Sequence, residues 1–192
     1  SEREIDKAVD EDTILVSMMY VNNETGAVQP IKAVKPILKE KAPAALFHCD
    51  CVQAFCKTDI FPEKIGADIV SISAHKIHGF KGSGAVYTAN PRLFPIIFGG
   101  EQQNSLRPGT ENVPGICAFG AAAAACDYDS ERVRGLRTLL KEGLQKTVPD
   151  IQINGDEINS GNILNISFAG IRAEILLHAL EKHEIYVSTG SA

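Results

Sequence analysis

Apolar runs and polar stretches alternate along the first half of the chain. Four short apolar runs predict strands, at residues 13–21, 45–50, 69–73 and 84–88, and the third is rich in β-branched residues. Between the first two strands, apolar spacing predicts a helix at about 31–41, which Pro36 should kink or restart. The connection between the last two strands is short, which favours a reversed fourth strand. Because helical connections separate the other strands, the sequence predicts an α/β fold with a mostly parallel sheet.

The second half of the chain has a different pattern. Apolar residues keep helical spacing over much of 113–147, and a charged stretch at 127–134 interrupts them. Two strands, a helix and a last short strand are predicted after it, at residues 151–155, 162–168, 173–182 and 185–188. The helix should turn four apolar residues inward: Ile175, Leu176, Leu177 and Leu180. We therefore predict two segments, 1–126 and 127–192.

Charge and cysteine content argue against several classes of protein. The net charge is −5 and no basic cluster offsets it, which argues against a nucleic-acid partner. No apolar run reaches membrane length, and no signal peptide is predicted before the first strand. The odd number of cysteines, five, fits a reducing compartment such as the cytoplasm. Cys49, Cys51 and Cys56 lie close together, but no second Cys/His pair completes a tetrahedral site, so we predict buried or loop thiols and no metal.

Polar side chains follow three of the predicted strands at their carboxyl ends. Asn23 follows the first strand, Asp50 ends the second with Gln53 shortly after, and Lys76 follows the third between two histidines. In an open parallel sheet these ends share one edge, where ligands bind. A lysine held there among cations is placed like a lysine that forms a Schiff base, and a carboxylate nearby suits the ring nitrogen of pyridoxal phosphate (PLP). Taken alone, Lys76 is better described as a solvated loop lysine. The polar residues at the other two strand ends reverse that interpretation and favour a cofactor-binding lysine. His48 is predicted to be packed or hydrogen-bonded rather than catalytic.

The chain resembles the cysteine desulfurases, the NifS/IscS-like branch of the class V aminotransferase superfamily of fold-type I PLP enzymes. Four motifs carry the resemblance, in the family's order: Val21-Asn22-Asn23-Glu24-Thr25-Gly26, His48-x-Asp50-x-x-Gln53, Ser73-Ala74-His75-Lys76-Ile77-His78-Gly79-x-Lys81-Gly82 and Arg107-Pro108-Gly109-Thr110. Each motif alone is weak, but the joint match is specific. It implies that residues 1–126 belong to the large PLP-binding domain, with its mostly parallel sheet, and residues 127–192 to the small α+β C-terminal domain.

The resemblance also implies a role for each motif residue. Lys76 would bind PLP covalently and act as the general base at the substrate Cα. Asp50 would contact the nitrogen of the cofactor ring, and Gln53 its phenolic oxygen. These residues would together activate the substrate, L-cysteine.

Other motif residues would bind the cofactor phosphate and the substrate. Ser73 and His75 would hold the phosphate, and Thr110 would reach it from the other subunit of a homodimer. Asn23 would contact the ring and the carboxylate of the substrate. No metal ligand is implied.

The activity implied is the removal of sulfur from L-cysteine. Alanine and an enzyme persulfide would result, and the sulfur would pass to an acceptor or scaffold protein for iron–sulfur cluster or thio-cofactor assembly. The family's N-terminal phosphate-binding turn and catalytic cysteine have no counterpart in this sequence, which resembles the middle part of a desulfurase. The isolated chain is therefore expected to be inactive. Two alternatives stay open: a selenocysteine lyase or another class V PLP enzyme, and a non-catalytic fragment.

Overall fold

The computed structural model describes residues 1–89 and 93–190, which form two compact units. One unit comprises Ser1–Tyr20 and Gln29–Tyr128, and the other comprises Val21–Val28 and the described residues from Asp129 onwards. The loop Val21–Val28, which the predicted boundary assigns to the first segment, thus has its contacts in the second unit. The interpretation of the two segments as parts of a large and a small domain stays a prediction.

A four-stranded sheet forms the centre of the first unit. In the order β1-β2-β3-β4, its strands are Leu15–Met19, Leu46–Asp50, Ile69–Ser73 and Gly84–Thr88. β1, β2 and β3 are parallel, and β4 runs antiparallel to β3. The predicted α/β fold, its mostly parallel sheet and the reversed fourth strand are therefore confirmed.

Four helices accompany this sheet: Glu2–Ala8 (α1), Val34–Lys41 (α2), Pro62–Ile65 (α3) and Val113–Ala124 (α4). A 3-10 turn at Ile31–Ala33 leads into α2, so the helical segment restarts close to Pro36, as expected. Pro36 lies in the first turn of α2, where a backbone N–H would have no partner within the helix. The helix therefore tolerates it.

The sheet has one face more deeply buried than the other, because side chains alternate along each strand. In β2, Phe47 and Cys49 are fully buried, whereas Leu46, His48 and Asp50 are only partly buried. The buried side chains of α2 are Val34, Ile37 and Leu38. Each fully buried apolar side chain contributes about 1.5–3 kcal/mol. A shift of β2 by one residue would bring Asp50 into this core, so burial of Phe47 fixes the register.

A partly buried ion pair ties α2 to the start of β3. Lys35 Nζ lies 3.0 Å from Asp68 Oδ1 and 2.7 Å from Asp68 Oδ2. Asp68 Oδ2 also accepts a bond from the backbone N–H of Phe47 at 2.8 Å. In return, the Asp68 N–H donates to the Phe47 carbonyl at 2.9 Å. This one carboxylate therefore joins a helix to two neighbouring strands.

The second unit contains two helices and an antiparallel pair of strands. They are Ser130–Thr147 (α5), Ile151–Asn154 (β5), Asn165–Phe168 (β6) and Ala173–Glu181 (α6). Side-chain amides attach the loop Val21–Val28 to this unit. Asn159 Nδ2 donates to Thr25 O at 2.8 Å, and Asn165 Nδ2 donates to Glu24 O at 3.2 Å. Across the described residues, no helix is both long enough and apolar enough to cross a membrane.

Two expectations for the second unit are wrong. Residues 185–188 do not form a strand, and no strand of the described residues pairs with them. Ile175 is 53% exposed, whereas Leu176, Leu177 and Leu180 are partly buried. At about 100° per residue, Ile175 lies on nearly the opposite side of α6 from these leucines. One helix face could not hold all four residues.

Replacing Asp68 by alanine should lower the free energy of unfolding by about 2–4 kcal/mol. The buried N–H of Phe47 and the ammonium of Lys35 would both lose their acceptor. Urea denaturation followed by circular dichroism measures the loss. The matched control is Asp59→Ala, because Asp59 is exposed and makes no hydrogen bond to a described residue; it should cost less than about 0.5 kcal/mol. Equal effects of the two substitutions would contradict this role of Asp68.

Candidate active site

Lys76 lies on a single 3-10 turn, Ala74–Ile77, that follows β3 directly. Ala74 is fully buried and Ile77 nearly so, and both pack with Phe119 of α4. Lys76 itself is partly buried, and His75 is exposed. The two apolar residues therefore anchor the turn, which holds the lysine amine at the carboxyl edge of the sheet.

Two residues close this turn tightly. His78 has a left-handed backbone with a φ of 68°, and its N–H donates to the Ala74 carbonyl. The N–H of Gly79 donates to the same carbonyl at 2.9 Å. A Cβ atom at Gly79 would lie only 3.1 Å from that oxygen and 3.0 Å from the Cβ of Ala74. Only glycine fits there without a shift of the turn, so the position of Lys76 depends on it.

Asp50 ends β2 next to the end of β3. Backbone bonds fix this position, because Tyr20 N–H donates to Asp50 O at 2.8 Å and Cys51 N–H donates to Ser71 O at 2.9 Å. The carboxylate oxygen Oδ1 accepts a bond from Val52 N–H at 2.9 Å. Its other oxygen has no hydrogen-bond or ion-pair partner within residues 1–89 and 93–190. This oxygen can therefore accept a hydrogen bond from a ligand.

Gln53 and Lys57 lie on the turn that follows Asp50. Gln53 is 7% exposed, and Lys57 Nζ approaches its Oε1 at 3.5 Å. Burial and, next, the charge of Lys76 lower the pKa of Lys57 below its ordinary value. The structure thus brings a second lysine to the site, which the sequence analysis missed. The sequence holds no clear signal for this contact, because it depends on the left-handed backbone of Cys56.

Ser73 and His75 form a polar pair at the end of β3. Ser73 Oγ lies 2.7 Å from His75 Nδ1, and the tautomer of the imidazole decides which atom donates. Each side chain keeps further hydrogen-bonding capacity for an external group. A hydroxyl beside an imidazole at a strand end is suited to an anion.

The two remaining predicted residues, Asn23 and Thr110, lie on other segments of the chain. Thr110 is exposed in the segment before α4 and has no hydrogen bond to Lys76 or Asp50. Asn23 belongs to the second unit. There the side chain of Asn22 holds the loop, because Asn22 Oδ1 accepts from the N–H groups of Glu24 and Thr25 at 3.0 and 2.8 Å. The roles of Asn23 and Thr110 stay predictions.

His48 is hydrogen-bonded on both sides, as predicted. Its Nδ1 lies 2.8 Å from Ser17 Oγ of β1, and its Nε2 lies 3.0 Å from Ser71 Oγ of β3. In the neutral ring one nitrogen donates and the other accepts, and each hydroxyl can do either. The imidazole therefore links three strands on the more open face of the sheet.

Two of the cysteines, Cys49 and Cys56, are poorly suited to act as thiolates. Cys49 and Cys51 are buried with their sulfur atoms 3.6 Å apart, and this contact together with burial raises the pKa of Cys49. Burial and the neighbouring Cys126 thiol raise the pKa of Cys56 to about 11. Across the described ranges, no three or more His, Cys, Asp or Glu side chains are grouped to hold a metal ion. The predicted buried or loop thiols are confirmed for Cys49, Cys51 and Cys56.

This α/β arrangement, with a parallel sheet and polar groups at its carboxyl edge, is the architecture of fold-type I PLP enzymes. All 192 residues match the family model of the class V aminotransferases, and the chain belongs to that family. It is 40% identical over 194 residues to cysteine desulfurase 2 of Trichormus variabilis, an alignment that covers 98% of this chain and 48% of that protein.

Solved structures agree with the family assignment. A NifS-like protein superimposes with a TM-score of 0.89 at 40% identity, covering 99% of this chain and 53% of that one. The protein SspA in complex with cysteine superimposes with a TM-score of 0.75 at 30% identity, covering 100% of this chain and 54% of that one. The chain therefore spans about half the length of the relatives it matches.

The raised pKa of Cys56 predicts slow alkylation. At pH 8 a thiol with a pKa of about 11 has on the order of a hundredfold less thiolate than a free cysteine. Brief labelling with iodoacetamide and peptide mass spectrometry should therefore find Cys56 far less modified than a cysteine-containing reference peptide. Because the pKa is raised, the rate should climb as the pH approaches about 11. Labelling of Cys56 at the rate of the reference peptide at pH 8 would show that the thiol is not protonated.

Proposed function

We propose that the protein is a PLP-dependent cysteine desulfurase that removes sulfur from L-cysteine to give alanine. The observation that carries this proposal is the burial of Lys76 together with its lack of a partner. Its amine is partly buried at the carboxyl edge of the sheet and has no hydrogen-bond acceptor or ion-pair partner among the described residues. A lysine kept in this way is available for a covalent bond to an aldehyde.

The side chains around Lys76 fit PLP. Three different groups have unused capacity: the amine of Lys76, one oxygen of Asp50 and the amide nitrogen of Gln53. They match, in turn, the aldehyde, the protonated ring nitrogen and the phenolic oxygen of the cofactor. When bound, the cofactor supplies an electron sink that stabilises negative charge at the substrate Cα.

Three residues of the chain would then each have a separate role in cofactor binding and catalysis. Lys76 would hold the cofactor, and its amine would take the proton from the substrate Cα. The carboxylate of Asp50 would accept a charge-assisted hydrogen bond from the ring N–H. Gln53 donates to the phenolic oxygen. Each role needs a side chain fixed in place, and the backbone bonds around Asp50 and the anchored turn around Lys76 supply that.

Phosphate and substrate contacts come from the other motif residues. Ser73 and His75 would share the phosphate, and Asn23 would bind the substrate carboxylate. Thr110 would complete the phosphate site from the second subunit of a homodimer. The exposed position of Thr110 is in keeping with such a role, as are three exposed apolar residues of the same segment before α4: Phe94, Ile96 and Phe98.

Transfer of sulfur needs a nucleophilic thiolate. The raised pKa values of Cys49 and Cys56 make both thiols unsuitable. None of the five cysteines lies in the sequence context of the family's catalytic cysteine, so we assign the role to none of them. A cytoplasmic protein of this kind would pass its sulfur to an acceptor or scaffold protein for iron–sulfur cluster or thio-cofactor assembly. SspA, a relative by structure, was solved in complex with cysteine, which supports an amino-acid substrate with a thiol.

Borohydride reduction in the presence of PLP tests the proposal. A stable adduct on Lys76 should appear in peptide maps of the purified protein and disappear in Lys76→Ala. The matched control is Lys81→Ala, because Lys81 is an exposed lysine of the same loop. The yield of the adduct should fall below detection in Lys76→Ala and should change by less than about twofold in Lys81→Ala.

Two results would count against the assignment. An adduct spread evenly over surface lysines would remove Lys76 as the anchor. A faster reaction with selenocysteine than with cysteine, with the adduct still on Lys76, would favour a selenocysteine lyase instead.

A further inference from the structure

The orientation of the Gln53 amide follows from its neighbour. A lysine ammonium has three donors and no acceptor, so the amide atom 3.5 Å from Lys57 Nζ must be the oxygen, Oε1. The amide nitrogen of Gln53 therefore points elsewhere. This nitrogen has two donors and no acceptor within residues 1–89 and 93–190. Gln53 as a whole is 7% exposed, and its amide nitrogen is not among the described side-chain atoms that are fully buried without a partner. The nitrogen therefore reaches solvent and is open to a partner from outside the chain.

A tight turn holds Gln53 and Lys57 together. Ala54 and Phe55 donate their N–H groups to Cys51 O at 3.0 and 2.8 Å, and Lys57 N–H donates to Ala54 O at 3.0 Å. Cys56 has a left-handed backbone with a φ of 62°, which few non-glycine residues adopt. This backbone reverses the chain so that Lys57 lies over the side chain of Gln53. The contact is therefore built into the turn that begins at Asp50.

Charge favours the same interpretation. Lys57 is partly buried, and three titratable groups act on it: Lys76, Cys56 and Cys126. The positive charge of Lys76 opposes that of Lys57. Because its pKa is raised to about 11, Cys56 is a neutral thiol near pH 7 and does not offset this repulsion. Two lysines on neighbouring turns create a positive potential at one edge of the sheet. An anionic oxygen bound between them would relieve this repulsion.

We infer that Lys57 is a positioning residue of the cofactor site. By donating to Oε1 of Gln53 it leaves the amide NH₂ as the group that meets the phenolic oxygen of PLP. This inference rests on the proposed function and adds to it a residue that touches the cofactor only through Gln53. Without Lys57 the amide of Gln53 could rotate and turn its oxygen toward the phenolic oxygen of PLP. The two oxygen atoms would then repel each other.

A double-mutant cycle on the dissociation constant of PLP tests the inference. The purified protein is stripped of cofactor and titrated with PLP, using fluorescence. Lys57→Met should raise the dissociation constant by about tenfold, as expected when the hydrogen bond from Gln53 to the phenolic oxygen is lost. Lys57→Arg, which can still donate to Oε1, should stay within about threefold of the unmodified protein. In a Gln53→Ala background, Lys57→Met should change the dissociation constant by less than about threefold.

The outcomes separate the possible roles of Lys57. Equal losses with and without Gln53 would mean a purely structural role and would overturn the inference, as would no loss at all. Gln53→Glu gives a second arm that does not depend on the folding of a Lys57 variant. Its two oxygens cannot donate, so it should bind PLP more weakly than Gln53→Ala; equal or tighter binding would also overturn the inference.

The same titration distinguishes this inference from the proposed function. If the unmodified protein binds no PLP and gives no adduct on Lys76, the proposed function fails and the inference with it. If the unmodified protein binds PLP and Lys57→Met binds it equally well, only the inference fails. Lys81→Met serves as the control for loss of a nearby positive charge, since Lys81 is exposed on the glycine-rich loop.

Discussion

The backbone N–H of Cys51 donates to the carbonyl of Ser71 across 2.9 Å, and much of the candidate site depends on this bond. It continues the pairing of β2 with β3 one residue past the end of β2. Asp50 is thereby held beside the strand that leads into the Lys76 turn. Two parallel strands must present their carboxyl ends at the same edge. Asp50, at the end of β2, and Lys76, on the turn after β3, therefore lie at the same edge of the sheet.

The electrostatics of this edge follow from burial. Asp50 keeps a carboxylate oxygen without a protein partner, while Lys57 and Lys76 concentrate positive charge nearby. No ion pair neutralises either lysine among the described residues. Partners for Lys35 and Lys41, by contrast, are found within the fold, in Asp68 and Asp6. Lys57 and Lys76 thus leave two positive charges without an ion pair at this edge of the sheet, whereas the pair of Lys35 and Asp68 lies where it stabilises the fold.

Local chemistry in the sequence was sufficient to predict the sheet and its polar edge. β3 and β4 have the predicted bounds, because Ser73 ends the apolar run of β3 and Gly84 precedes the apolar run of β4. Lys57 could not be predicted with the same ease, because its contact depends on the left-handed backbone of Cys56, a residue that rarely adopts it. The predicted strand at 185–188 failed for another reason. Its apolar residues have strand propensity, but a strand forms only where a neighbour supplies hydrogen bonds.

The ion pair of Lys35 and Asp68 links the fold to the site at a distance. Asp68 binds the N–H of Phe47, and Phe47 is the fully buried residue that fixes the register of β2. Because strand side chains alternate, that register decides that His48 and Asp50 lie on the more open face and Cys49 in the core. His48 is then hydrogen-bonded to Ser17 of β1 and to Ser71 of β3, which links these strands through β2. The position of the Asp50 carboxylate is therefore set three residues earlier, at Phe47, by packing and by a carboxylate that takes no part in the chemistry.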